Sequence, residues 1–528
     1  MDWSLPYPSR RMPTLARNVV STSQPLAAQA GLSMLQAGGN AVDAALATAI
    51  TLTVVEPIMN GIGGDLYALV WDGRQLHGLN ATGAAPAAWL PSRFAGHSEM
   101  PRAGWDSVTV PGQVAGWKAL SERFGALPFQ RLFEPAIRYA DEGFPVSPVI
   151  ASVWPRLAAL VAHQPGFADA FLPGGRAPMA GEHWRFADQA RTLADIANSH
   201  GESFYRGALA QRIVACAEAH GGALSADDLA AQRVEWVQPL AMRYRDFTLH
   251  EIPPNGQGIA AQMALGMLQH FDLRASGIDT AATLHLQIEA MKLAFADLHA
   301  HVADPRTMKV TADALLDANY LATRARMIDP ARAGEPRAGT PRTGGTVYLA
   351  TGDAAGMMVS FIQSNYYAFG SGVVVPGTGI ALHNRGWNFS LVPGHPNEVG
   401  PGKKPLHTII PGFVTGPDLQ PVMAFGVMGG FMQAQGHVQM MSRLVDFAQN
   451  PQAMNDAPRF MASPVDGIVK LEAHMPAEVA DGLRARGHRV EVLPTGHLDF
   501  GAAQLVQRGD GHYIAASDGR RDGLAVGY

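Results

Sequence analysis

Two periods of apolar residues run along this chain, one helical and one extended. Residues 25–56 (PLAAQAGLSMLQAGGNAVDAALATAITLTVVE) carry apolar side chains at helical spacing, interrupted at Gly38-Gly39-Asn40. That pattern predicts two packed helices joined by a glycine turn. The next stretch, MNGIGGDLYALVWDGRQLHGLNAT, reads as a glycine-rich loop and a hairpin turning at Asp72-Gly73. Residues 110–240 read as mainly helical after Pro111-Gly112, and residues 280–303 as a strong amphipathic helix.

The texture changes near Ala325. Residues 325–345, ARMIDPARAGEPRAGTPRTGG, are rich in Arg, Pro and Gly and have no apolar period, which predicts an exposed, mobile linker. Directly after it, TVYLATGDAAGMMVSFIQSNYYAFGSGVV alternates apolar and polar residues around Asp353-Ala354-Ala355-Gly356. This predicts a strand, a turn, a second strand and a glycine-rich loop. The chain closes on another strand pair around Arg508-Gly509-Asp510-Gly511. Strands in both halves with long helices between them predict an α+β fold in αββα layers, not two independent domains.

Composition narrows the function classes. The chain has 528 residues, 47% of them apolar and 16% charged, and a formal net charge of -5. This is a globular balance with no basic footprint for nucleic acid. Cys216 is the sole cysteine, which excludes an intrachain disulfide framework, and its helical context (QRIVACAEAH) marks it as a core residue. No apolar run spans a bilayer and the N-terminus has no secretory h-region, so a cytoplasmic, membrane-free location is expected.

The linker-to-strand junction carries the candidate chemistry. Thr346 follows Gly344-Gly345 and opens a buried-looking strand. Its hydroxyl is placed to attack the Gly345 carbonyl, forming an ester that water cleaves. Glycine tolerates the strained backbone such an attack needs. Cleavage leaves a threonine whose free α-amine has a pKa of about 7.7–8.0, so base and nucleophile share one residue. Gly429-Gly430, between an apolar strand and a helical run, offers backbone N–H groups for an oxyanion.

The segments AGGNAVDAALA, EPIMNGIGGDLYALVWDG, VPGQVAGW, EIPPNGQG, GGTVYLATGDAAG, FGSGVVVPGTGIALHNRGWNFS, MGG and DAPRF together resemble the γ-glutamyltransferase family over nearly the whole chain. The resemblance implies a four-layer αββα N-terminal-nucleophile hydrolase fold. It also implies self-cleavage into a large subunit (1–345) and a small catalytic subunit (346–528), which together form the sandwich. By position, Thr346 matches the nucleophile, Ser364 its supporting hydroxyl, and Gly429 and Gly430 the oxyanion hole.

Departures from the family pattern lie at substrate-binding positions. The arginine for an α-carboxylate is Thr82 here, and the acidic residue for an α-amine is Asn388. An asparagine becomes Tyr366, a serine pair becomes His407-Thr408, and the segment between Ser390 and Lys404 is shorter. The opening Thr-Thr-His is Thr346-Val347-Tyr348. Losing both charges removes zwitterion recognition. Arg385 replaces a neutral amide position, and a guanidinium suits a carboxylate. This pattern is closest to the oxamate amidohydrolase branch, with Arg385 and His407 holding a carboxylate while Thr346 attacks the amide.

Three functions follow: hydrolysis of a small carboxylate-bearing amide such as oxamate, γ-glutamyl transfer or glutathione hydrolysis through an altered pocket, or binding by an unprocessed homologue. No cofactor or metal is expected, and a dimer of processed pairs stays open. His299 and His301 fall on different helix faces, Asp65 reads as a turn cap, and no dinucleotide fingerprint is present.

Overall fold

The computed structural model of the chain describes residues 10–335 and 346–528. The N-terminal half supplies β1 (Thr14–Ala16), β2 (Val19–Thr22), β3 (Asp65–Trp71), β4 (Leu76–Ala81), β5 (Glu235–Val237), β6 (Leu240–Tyr244) and β7 (Phe247–Glu251). The C-terminal part supplies β8 (Val347–Gly352), β9 (Met358–Ser364), β10 (Gly412–Thr415), β11 (Pro421–Val427), β12 (Ala503–Arg508), β13 (Tyr513–Ser517) and β14 (Leu524–Gly527). They form two seven-stranded sheets, ordered β14-β2-β8-β9-β3-β4-β5 and β1-β13-β12-β11-β10-β7-β6. Both sheets draw strands from both sides of residue 346, so neither stretch could complete a sheet alone.

Strand periodicity explains how the sheets are covered. Along β8, Val347 and Leu349 point to a helix-covered face, while Tyr348 and Ala350 join an apolar group shared with Phe413, Ala424, Val506 and Ala515 of the other sheet. On the far side of that second sheet, Val414, Phe425 and Leu505 pack with helices α3 (Gly258–Leu268), α4 (Ala281–His301) and α5 (Met432–Val445). Each central strand is therefore buried on both faces. The expected alternation of buried and exposed residues in β8 and β9 does not occur, because all their residues are buried. Polar members are satisfied inside: Gln363 Nε2 donates to Ala49 O at 2.7 Å and to Asn60 Oδ1 at 2.8 Å.

The predicted helix pair is present as α1 (Pro25–Gln36) and α2 (Ala41–Val55). Asn40 ends the break between them. Its Oδ1 accepts the N–H groups of Val42 and Asp43 at 3.0 and 3.1 Å, and Asp43 Oδ2 accepts the Asn40 N–H at 3.0 Å. Such reciprocal caps contribute about 1 kcal/mol. All of α2 is buried, which fits its Ala- and Thr-rich sequence. The hairpin at Asp72-Gly73 and the strand pairs on either side of residues 353–356 and 509–512 also form.

Residues 110–240 are mainly helical, as read, with short strands among the helices, including Glu235–Val237 on a sheet edge. One sequence reading needs correction: the stretch read as a mobile linker from residue 325 is docked as far as residue 335. Asp329 O lies 2.7 Å from His285 Nε2, Ala333 N–H donates to Arg486 O at 2.7 Å, and Gly334 N–H donates to Glu289 Oε2 at 2.9 Å. Backbone polar groups that find buried partners hold a segment which composition alone leaves free. The remaining linker residues, with Gly345 and its bond to Thr346, lie outside the described residues. Cys216 is buried and unpaired in the core, as expected. Among the described residues no helix is long and apolar enough to cross a membrane.

Candidate active site around Thr346

Strand parity puts Thr346, Tyr348, Ser360, Ile362 and Ser364 on the face directed at the second sheet. Register then brings the two ends together: Val347 pairs with Gln363 across β8 and β9, and Ser364 pairs with Asp65 at the start of β3. Thr346 is buried, and its hydroxyl donates to Ser364 Oγ at 3.3 Å. Ser364 Oγ also accepts the Tyr366 N–H at 2.7 Å. Gln433, in the first turn of α5, donates through Nε2 to Thr346 Oγ1 at 3.2 Å. Sequence reading missed Gln433, because one glutamine in a helical run carries no signal by itself.

Gly429 and Gly430 link β11 to α5 and both have positive φ, 122° and 63°. A Cβ on Gly429 would sit 3.2 Å from both Gly501 Cα and Met432 Cβ, so bulk as well as backbone angle demands glycine there. Among the described residues neither glycine N–H has an acceptor, and Gly429 lines the same cleft as Thr346.

The other predicted residues form a closed polar cluster. Arg385, His407 and Thr408 are all fully buried. Arg385 Nε donates to Asp65 Oδ2 at 3.0 Å, and its Nη1 donates to Thr408 Oγ1 at 2.9 Å. The Tyr366 ring, held at φ 78°, covers the guanidinium at 4.4 Å. Arg385 Nη2 has no acceptor among the described residues. His407 Nε2 lies 2.9 Å from Asp65 Oδ2, and its Nδ1 accepts the Ile409 N–H at 3.4 Å. That pattern requires a neutral imidazole, in accord with burial and the nearby Arg385 charge pushing His407 down to about 3.

Asp65 is therefore not the turn cap expected from GIGGDLY. It is a fully buried anion that also meets His383 Nδ1 at 2.9 Å. Burial alone raises its pKa, but His383 and His407 hold it well below the usual carboxylate range. A lone acidic residue beside glycines gives no hint of partners more than 300 positions away. Gln257 ties this cluster to the glycine turn: its Nε2 donates to Thr408 O at 2.5 Å and to Gly430 O at 2.8 Å. The hydrogen bonds and ring contact thus run from Thr346 through Ser364, Tyr366, Arg385, Thr408 and Gln257 to Gly430. Thr82 is buried, donating to Asn80 Oδ1 at 2.7 Å, and borders the cluster through Tyr67, whose ring lies 5.0 Å from that of His407. Asn388 donates to Leu406 O at 2.9 Å and lines a second cleft with His299 and Phe431, the last of which also lines the cleft at Thr346.

Thr346 and Gly429 open onto a cleft of about 850 Å³, counting the solvent at its mouth. Met59, Met428, Met432 and Met461 form much of its wall, with Arg156 and Arg521 as its guanidinium groups. Arg385 and His407 do not line it. Elsewhere, His285, Glu289 and His488 bring three metal-type donors together. However, Lys292 Nζ lies 2.7 Å from Glu289 Oε1, so that carboxylate already has its cation.

Known proteins resemble this chain over nearly its whole length. Residues 27–528 match the gamma-glutamyltranspeptidase family. An oxamate amidohydrolase proenzyme of Klebsiella pneumoniae is 36% identical over 95% of this chain and 97% of its own length. A glutathione hydrolase-like proenzyme of Bacillus subtilis is 34% identical over 97% of this chain and 98% of its own. The crystal structure of a cephalosporin acylase from Bacillus halodurans superposes with a TM-score of 0.95 at 48% identity, covering 100% of this chain and 99% of that one. With a buried threonine opening the strand after the junction and a double-glycine turn whose Gly429 lines the same cleft, the chain belongs to the gamma-glutamyltranspeptidase family.

Proposed function

We propose that this chain is a self-cleaving amide hydrolase whose nucleophile is Thr346. The observation that carries the reading is the Thr346 hydroxyl, fixed between Ser364 and Gln433 in a cleft shared with Gly429, whose N–H, like that of Gly430, has no acceptor among the described residues. Maturation begins when Thr346 Oγ attacks the Gly345 carbonyl carbon and the C–N bond breaks, leaving an ester. That break, with the hydroxyl proton passing to nitrogen, frees the Thr346 amine; water then cleaves the ester, restoring the Thr346 hydroxyl and separating residues 1–345 from residues 346–528. The interleaved sheets keep the two pieces together as one body.

In turnover the freed amine takes the hydroxyl proton as Oγ adds to the substrate carbonyl. Negative charge develops on the carbonyl oxygen, where the Gly429 and Gly430 N–H groups would meet it. One such donor is worth roughly 10²–10³ in rate. The amine then passes its proton to the leaving nitrogen, and water releases the acid from the acyl-threonine. Tetrahedral charge is thus stabilised by groups already in place, without reorganisation.

The substrate reading is a small carboxylate-bearing amide such as oxamate. The similarity to an oxamate amidohydrolase supports it; Arg385 Nη2, a buried guanidinium N–H₂ without an acceptor among the described residues, does not line the cleft and reaches a carboxylate only once the Tyr366 ring over it shifts. Thr82 and Asn388, neutral and engaged with other groups, speak against γ-glutamyl substrates. A second reading, acylase action on larger amides, is favoured by the open methionine-lined cleft and by the cephalosporin acylase likeness. The discriminating experiment measures ammonia release from oxamate against p-nitroaniline release from a γ-glutamyl anilide. Turnover of the anilide alone would overturn the substrate reading.

A further inference from the structure

Arg521 is a buried cation without a carboxylate in ion-pair contact among the described residues. It is 5% exposed, its Nη1 donates to Arg520 O at 2.8 Å, and its Nε has no acceptor among the described residues. Of the carboxylates that act on it from a distance, Asp518 is taken by Arg459 at 2.6 Å and Arg520 at 3.2 Å, and Asp522 Oδ2 accepts the Ser147 hydroxyl at 2.8 Å. Glu56 Oε2 accepts the Ser23 hydroxyl at 2.5 Å while its Oε1 has no donor among the described residues, and burial raises its pKa to about 7, so it offsets the Arg521 charge only in part. A buried guanidinium in this position is costly unless an anion arrives to meet it.

The place of Arg521 gives that cost a use. It lines the same cleft as Thr346 and Gly429, and Arg156 stands exposed on the wall of that cleft. The acid that lines the cleft, Asp499, is neutralised by Lys470 at 2.6 Å. The same cleft is lined by buried methionines at 59, 428, 432 and 461, flexible side chains that mould to an apolar chain.

We propose that Arg521, assisted by Arg156, forms an anion subsite for substrates that carry a carboxylate beyond an apolar stretch from the scissile amide. This rests on Thr346 being the nucleophile, and extends that reading to substrates larger than oxamate. The subsite is separate from the Asp65–Arg385 cluster, whose residues do not line the cleft.

The test is binding to the mature protein by titration calorimetry, with hexanoate as probe and hexan-1-ol as its uncharged counterpart. Hexanoate binds at least tenfold more tightly than hexan-1-ol, and Arg521→Met removes that advantage. Arg156→Met, on the exposed wall, reduces it by roughly threefold, a surface-type effect. Arg521→Lys keeps part of it, whereas a binding mode fixed by shape alone would not distinguish Lys from Met. If Arg521→Met does not fold, the wild-type ratio and Arg156→Met decide. Equal binding of the two probes, or hexanoate binding unchanged in both Met variants, overturns the subsite. Mass spectrometry of the same sample reads self-cleavage separately, so failure of the nucleophile reading is not confused with failure of the subsite.

Discussion

Gln433 donates its side-chain N–H to the Thr346 hydroxyl at 3.2 Å, and its carbonyl oxygen accepts the Ile410 N–H at 3.0 Å. The second bond fixes which end of the amide faces the threonine. Since Gln433 supplies a proton to Oγ1, the threonine's own proton points to Ser364, leaving a lone pair for attack. Gln433→Ala is expected to lower kcat by roughly 10- to 100-fold, the worth of one donor to an oxygen gaining charge. Gln433→Glu, which presents an acceptor in place of the donor, is expected to fall further, measured as kcat on the best amide. A Glu variant as active as wild type would contradict the polarity argument.

Ser364 receives the Thr346 proton and is itself oriented by the Tyr366 N–H at 2.7 Å. Ser364→Ala therefore slows self-cleavage, followed as disappearance of the full-length band on denaturing gels over hours. Ser364→Thr retains the oxygen and restores part of the rate. Cleavage at the wild-type pace in the alanine variant would remove Ser364 from the account.

The Asp65–Arg385 pair is fully buried, and Asp65 is also met by His383 and His407. Removing one member of such a pair usually costs about 3–5 kcal/mol, because the partner charge is stranded. Arg385→Met should lower Tm sharply and weaken oxamate binding while self-cleavage still proceeds. Pairing it with Asp65→Asn should recover part of the lost Tm. A double variant that is additively worse would show that the two charges act independently.

Burial holds His299 at about 4, below the ordinary histidine value. Between that value and the unfolded pKa of about 6.5, the unfolded chain binds more protons than the folded one. Stability is therefore intact above the unfolded value and is lost as pH falls through this window. Tm measured from pH 7 to pH 4 should decline, and His299→Gln should make the decline shallower. An unchanged slope in the variant would assign the acid sensitivity to other groups.

Local signals in the sequence were read well. The Gly38-Gly39-Asn40 break, the Asp72-Gly73 hairpin and the strand pair beginning at Val347 each rest on short-range periodicity and turn chemistry, and each formed. Thr346, Ser364 and the glycine pair came together because strand register and a turn place them there. What stayed hidden was long-range polar pairing. Asp65 meets partners at 383, 385 and 407, and Gln257 bridges 408 and 430. Single polar residues have no period to announce such contacts. Docking of residues 326–335 escaped notice for a related reason, since backbone groups make most of its bonds.

Intact mass and N-terminal sequencing of the purified protein test the central claim most directly. The account predicts two fragments, the smaller beginning Thr-Val-Tyr-Leu-Ala, and a single uncut chain when Thr346 is replaced by alanine. An uncut wild-type protein that hydrolyses amides as fast as a cleaved one, or an alanine variant that still splits at the same bond, would contradict it.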